Sequence, residues 1–140
     1  AGMLAVGRRS AADQGVENVN FVQAEANTPP AGPFDVVMAF NLLHLVEDLN
    51  ECLNQAQSVL KPSGLFISKT FCPPTKGGSL KYRMIRIMLP LMQFFGRAPF
   101  VRFLSDSELD ATIEKAGFKI IERDNFPMTD PRHFVVARKL

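Results

Sequence analysis

VNFVQAEANTPPAGPFDVVMAFNLLHLVEDLNECLNQAQSVLKPSGLFIS, from Val19 to Ser68, is the stretch whose reading decides the fold. Two apolar runs, Val19–Ala24 and Phe34–Phe40, each deliver a polar residue at their C-terminal end, Glu25 and Asn41. The second run is apolar throughout except at Asp35, as a strand buried on both faces of a parallel sheet reads. Leu49, Leu53, Ala56 and Leu60 then recur at spacings of four, three and four, which is one face of a helix over Val46–Leu60. Lys61–Gly64 reads as a turn and Leu65–Phe71 as the next strand. Strand, helix, strand in this order implies an open α/β sheet, and such sheets take their ligands outside the C-terminal ends of the strands.

Working outward, Met3–Gln14 has small and apolar residues at helical spacing and stops at Gly15. No capping residue precedes it, so the chain is expected to begin inside a helix with further sequence upstream. Asn27–Pro33, with three prolines and a glycine, reads as a loop. Downstream, Ser105 or Asp106 can cap a helix over Ser107–Ala116, with Glu108 in its first turn, Lys115 in its last and Gly117 as its stop. Phe118–Arg123 and His133–Arg138 are the last two strands, an antiparallel pair joined around Pro127 and Pro131.

Pro73–Leu104 does not fit a minimal strand and helix repeat. It opens on Pro73, Pro74, Gly77 and Gly78 and continues as an apolar segment rich in Met and Phe, broken at Pro90 and again at Gly96 and Pro99. The expectation is a short helical cap with Lys81, Arg83 and Arg86 toward one end. Its functional reading is a lid over a greasy acceptor whose basic residues meet an acidic group or anionic lipid heads; equally, it is a helical pair packed on the core with its charges solvated.

With 140 residues the chain is long enough for one ordinary core and too short for two. Hydrophobic residues make up 46% and charged residues 21%, the balance of a globular protein, and no apolar stretch approaches a membrane span. AGMLAVGRRSAADQG is not a secretion signal, because its arginines follow its short apolar part. Cys52 and Cys72 lack metal or C-x-x-C spacing and are expected to be reduced thiols, which makes the cytosol the default location. The net charge of +2 hides an asymmetry: Cys52–Ser105 holds eight of the sixteen basic side chains and none of the fourteen acids, so it is +8 against −6 elsewhere. Nucleic acid is not an expected partner, since aromatic residues are not interleaved with these charges.

The chain resembles the C-terminal two-thirds of a class I S-adenosylmethionine-dependent methyltransferase of the small-molecule type. VNFVQAEA looks like that family's third strand and the acidic site after it, FDVVMAFNLLHLVED like its fourth strand and loop, and VLKPSGLFI like the turn into its fifth. ELDATIEKAGFKIIE and HFVVARK resemble its closing helix and hairpin. The resemblance implies a Rossmann-like sheet, incomplete here, with parallel strands, a C-terminal antiparallel hairpin and the inserted cap. It implies S-adenosylmethionine as cofactor, with Glu25 accepting from the adenine amino group, the Ala26 amide meeting a ring nitrogen, and Phe40, Asn41 and Leu42 beside the methionine portion and the methyl. His44, Tyr82, Arg83 and Arg86 are the residues expected on the substrate side; no general base is required, because methyl transfer mainly needs alignment of nucleophile, methyl and sulfur.

The departures from the family are two. The family's glycine-rich loop after the first strand and the acid after the second have no counterpart, and none of the nine glycines forms a G-x-G. In the family the first two strands also lie between the third and fourth, so Val19–Ala24 is expected to lack neighbours and one edge of Phe34–Phe40 to stay unpaired, open to self-association. A fragment or truncated product unable to hold the cofactor tightly alone is therefore expected.

Each residue also has a plainer reading. Glu25 can be a solvated loop carboxylate, Asn41 a turn or cap residue, His44 a structural imidazole and His133 a surface or edge residue. His44, Glu47 and Asp48 suggest a metal site, but a helical ligand pair spaced three or four apart needs a further ligand elsewhere, and the site is not expected. Besides methyl transfer to a small hydrophobic acceptor, a non-catalytic interaction domain stays open; a nicotinamide-linked reductase fits less, since Tyr82 is followed at four residues by Arg86 and not Lys.

Overall fold

A computed structural model describes residues 2–72, 100–125 and 132–140. Helix α1 (Gly2–Asp13) is followed by strand β1 (Phe34–Phe40), a one-turn 3₁₀ helix (Leu43–Leu45), α2 (Leu49–Ser58), β2 (Leu60–Phe71), α3 (Asp106–Lys115), β3 (Phe118–Asn125) and β4 (Arg132–Lys139). The four strands form one mixed sheet in the order β1-β2-β4-β3. β1 and β2 run parallel, as a helical crossover dictates, and β4 is antiparallel to both β2 and β3. This is the α/β sheet with a C-terminal hairpin that the sequence implies. The cap over residues 73–99, with Lys81, Tyr82, Arg83 and Arg86, and the loop around Pro127 and Pro131 lie outside the described residues.

Local chemistry sets the helix ends. Asp48 accepts from the Glu51 amide at 2.9 Å, so α2 starts at Leu49 and not at Val46. At its other end the Lys139 ammonium donates to the carbonyls of Gln57 and Leu60, at 2.7 and 2.8 Å, satisfying groups the helix leaves open and releasing Leu60 into β2. Ser105 and Glu108 form a reciprocal capping box on α3. Gly117, at φ +87°, stops that helix in a backbone region that costs glycine little.

Leu49, Cys52, Leu53 and Ala56 of α2 and Leu109 and Ile113 of α3 bury against one face of the sheet, where Phe66, Phe118, Val135 and Ala137 point. The Phe66 and Phe118 rings stand 5.2 Å apart, centroid to centroid, and tie β2 to β3 through the core.

Three expectations are corrected. Val19–Ala24 lacks neighbours among the described residues, as expected, and for that reason is not a strand: a strand needs a ladder partner, and Val19 and Val22 are 50% and 54% exposed. The only pairing here is an isolated bridge between Glu25 and Thr28. β1 is not buried on both faces, because only Val37 and Ala39 face the helices while Met38 and Phe40, on the other face, are 61% and 54% exposed. Lys61–Gly64 is not a separate turn but a bulge within β2. The register steps from Phe34↔Leu60 to Val36↔Leu65, with Ser63 at φ +60° and the Lys61 ammonium 2.7 Å from the Asp35 carboxylate. The expected unpaired edge of β1 is present: among the described residues no strand lies beside it on the side away from β2. No helix among the described residues is long and apolar enough to cross a membrane.

Candidate functional site

The register fixes which residues share the C-terminal edge of the parallel strands. Phe40 pairs with Lys69, Thr70 with His133 and Phe71 with Arg132, so Asn41, Cys72 and the start of β4 lie at one end of the sheet. Asn41 extends the parallel ladder by one bond, its amide donating to the Lys69 carbonyl at 2.8 Å, and then turns the chain at φ +53°. Asn is among the few residues that accept this left-handed conformation readily. The turn leads into the 3₁₀ helix, which fully buried Leu43 anchors and half-buried Leu42 flanks.

His44 follows on that helix, half-buried, with its ring 6.1 Å from the Phe71 ring. Its Nδ1 is sealed from solvent and has no hydrogen-bond partner among the described residues. Burial holds its pKa below the ordinary imidazole value, so the ring is neutral near pH 7. The His44 carbonyl accepts from the Arg102 amide at 2.7 Å, and the Arg102 guanidinium donates through Nη2 to the Glu47 carbonyl. Arg102 Nε is buried without a partner among the described residues. Sequence reading counted Arg102 only as one charge of the basic stretch; its separation of 58 residues from His44 carries no local signal.

On the face away from the helices, Phe40, Asn41, Lys69, Glu122, Asp124 and Phe134 line an open pocket of about 520 Å³. The other expected segment lies as follows. Glu25 is exposed, and its carbonyl accepts from the Thr28 amide at 3.1 Å to close a turn. Ala26 packs against the same buried cluster as Leu42, which joins the two segments through the core. Asn27, which the sequence reading passed over, holds a buried Oδ1 with no donor among the described residues. Phe40, Asn41, Leu42 and His44 are thus brought together, Ala26 shares their core, and Tyr82, Arg83 and Arg86 fall outside the described residues.

His133 corrects a further expectation. It is not a surface residue: it is buried, and its Nε2 lies 2.8 Å from Asp110 Oδ1 beneath α3. Position 133 alternates onto the helix-covered face of β4, and the carboxylate that pairs with it comes from a helix the strand pattern does not reveal.

A family model described as "Methyltransferase domain" matches residues 1–120, through both segments that flank the site. The chain belongs to the methyltransferase domain family. Among curated relatives, the chain is 30% identical over 132 residues to the arginine-hydroxylase NDUFAF5 of Rattus norvegicus mitochondria, covering 89% of this chain and 37% of the relative. It is 33% identical over 133 residues to the demethylmenaquinone methyltransferase of Thermus thermophilus, covering 84% and 60%. Among solved structures, the S-adenosylmethionine-dependent methyltransferase SibL matches 99% of this chain and 41% of its own, with a TM-score of 0.75 at 21% identity, a likeness of fold alone. The chain therefore spans between about a third and three-fifths of the length of these curated relatives.

The methyltransferase domain's own side chains fit the cofactor. A buried acceptor without a donor, Asn27 Oδ1, is what an exocyclic amino group would satisfy. In the pocket beside Asn41, two aromatic rings and two carboxylates favour a cationic sulfonium and outnumber the one opposing charge, the Lys69 ammonium.

Proposed function

We propose that this methyltransferase domain serves the transfer of a methyl group from S-adenosylmethionine to a small, hydrophobic acceptor in the cytosol. The observation that carries the reading is the family match running unbroken through residues 1–120, both polar segments included. In this reading Glu25, the Ala26 amide and Asn27 hold the adenine edge, while Phe40, Asn41 and Leu42 flank the methionine portion. The bound cofactor supplies an electrophilic methyl. The chain's contribution is alignment and exclusion of water: the rigid left-handed turn at Asn41 fixes the direction in which Phe40 and Leu42 point. His44, neutral by burial, stands on the acceptor side in this reading; Tyr82, Arg83 and Arg86, expected there from the sequence, lie outside the described residues.

A hydrophobic acceptor is supported by the Met and Phe content of residues 80–104 and by the name of the Thermus relative, which places a methyl on demethylmenaquinone. The free, buried thiols Cys52 and Cys72 are consistent with a reducing compartment. An interaction domain using the unpaired edge of β1 is the less favoured reading, because the family match includes the site segments as well as the scaffold. Contact of the cap with anionic lipid and self-association through β1 remain parts of the proposal that vesicle sedimentation and analytical ultracentrifugation address.

The deciding experiment is saturation-transfer NMR with S-adenosylhomocysteine and the 140-residue chain. Saturable transfer to the adenine protons, weakened by E25Q and by N27A, is the expected result. Absence of transfer from the unaltered chain, or transfer indifferent to both substitutions, overturns the assignment of the adenine edge.

A further inference from the structure

The loop between β1 and α2, from Asn41 to Asp48, carries Leu42 and His44 and is held to the core by two buried side chains, Leu43 and Val46. Apolar burial fixes how deep such a loop sits, but it is non-directional and leaves the loop's rotation open. Hydrogen bonds have direction, and the loop's own 3₁₀ turn supplies one, from the Leu45 amide to the Leu42 carbonyl at 2.8 Å. The carbonyls of His44 and Glu47 take their donors from elsewhere in the chain.

Both donors belong to Arg102. Its main-chain amide donates to the His44 carbonyl at 2.7 Å, and its guanidinium Nη2 donates to the Glu47 carbonyl. A single residue, 55 positions beyond Glu47, therefore grips the loop at two points. Arg102 is itself fixed from both sides. The Phe100 ring lies 5.8 Å from the guanidinium carbon, a cation–π distance that orders a long side chain, and buried Leu104 leads directly into the Ser105 cap of α3. The grip is thus anchored on the helix that Asp110 ties to the hairpin.

We propose that Arg102 is a positioning residue for methyl transfer: its amide and its guanidinium together set the rotation of the Asn41–Asp48 loop, and so where Leu42 and His44 stand beside the C-terminal edge of the sheet. Its part in transfer rests on the methyl-transfer reading, whereas the grip on the loop does not.

The test uses the full 140-residue chain and three variants. R102M keeps length and apolar packing but loses every side-chain donor, R102K keeps a cationic donor without the planar fork, and F100A removes the ring that orders the guanidinium. Hydrogen exchange followed by NMR is the primary measurement. In R102M the Leu45 amide is expected to exchange about fivefold faster, as the loss of one net hydrogen bond allows, while the Val135 and Ile113 amides of the core keep their rates. R102K and F100A are expected to show smaller rises at the same amide. A second signal is the His44 ring titration, which should move up toward its ordinary 6.5 in R102M, because a loosened loop admits water to the ring. An unchanged Leu45 rate in R102M, or a rise spread evenly over loop and core, overturns the proposal. Circular dichroism shows whether R102M folds; if it does not, R102K and F100A carry the comparison with the same two outcomes.

Saturation transfer from S-adenosylhomocysteine links the grip to the site. Binding weakened in R102M and partly recovered in R102K is the expected result, and a loosened loop with nucleoside binding unchanged overturns the positioning role. Absence of nucleoside binding by the unaltered chain sinks the methyl-transfer reading instead, and the exchange and titration results then decide the grip by themselves.

Discussion

The Asp110 carboxylate binds two strands at once: its Oδ1 lies 2.8 Å from His133 Nε2 on β4, and its Oδ2 accepts from Arg123 Nη1 on β3 at 3.0 Å. One side chain therefore pins α3 to the whole hairpin. The two arms are unequal, because His133 is buried and the Arg123 side chain is 62% exposed. D110A removes a carboxylate that two side chains share, one of them a buried imidazole, and is expected to cost about 2–3 kcal/mol. R123A removes a largely solvated charge and is expected to cost under about 1 kcal/mol. Urea denaturation of the two variants compares them directly, and equal losses would show that the buried arm adds nothing.

Gly32 is expected to be the least replaceable glycine of the site-bearing loop. A Cβ there would overlap the Val59 carbonyl, and that oxygen cannot easily retreat, because it accepts from the Phe34 amide at 2.8 Å where β1 begins. G32A should destabilise the chain by about 1–3 kcal/mol, as overpacking against fixed atoms does. G2A is the control: nothing lies within 4 Å of its added carbon, and it sits in a helix where alanine is favoured. Thermal melts showing the two substitutions indistinguishable would contradict this.

Where sequence gave the right element, the information was local. Leu49, Leu53 and Ala56 on the face of α2, the capping residue of α3 and the glycine that stops it are all specified within one or two helical turns and formed where expected, whereas Leu60, read as the last residue of that face, opens β2. Asn41 was legible for a similar reason: an Asn ending an apolar run both suits the left-handed turn and stands at the ligand edge. Where it failed, the cause was a partner distant in sequence. Val19–Ala24 has the composition of a strand, yet composition cannot supply the neighbour a ladder requires. His133 looked like an edge residue until Asp110, 23 positions earlier, came to lie over it. Arg102 reached the site only through its backbone bond to His44.

The two thiols should resist alkylation in the folded chain. Burial pushes the Cys72 thiol up to about 12, with the Asp106 carboxylate adding to the effect and Asp110 after it, and burial also raises that of Cys52. Since the thiolate is the nucleophile, iodoacetamide at pH 8 should label neither residue in buffer and both in urea, as mass spectrometry can count. Rapid labelling of Cys72 in buffer would mean that the strand end beneath α3 opens far more often than its packing implies.

His44 gives the chain a pH dependence whose sign follows from burial. Its folded pKa lies below the ordinary 6.5, so on acidification the unfolded chain takes up the proton first. Its contribution to stability is complete above about pH 6.5, rises with pH just below that value, and is lost as pH falls toward the folded pKa. Asp35 acts in a lower window: the Lys61 ammonium holds its carboxyl below the usual range, so its effect is lost only on further acidification. The two are therefore separable. H44Q keeps a polar side chain of similar length but cannot take up a proton in this range, and it should flatten the stability profile between about pH 5 and 7 relative to the unaltered chain. Urea midpoints collected across that range provide the measurement. A variant with an unchanged slope would mean that the ring reaches water in the folded state, against the burial of His44 Nδ1.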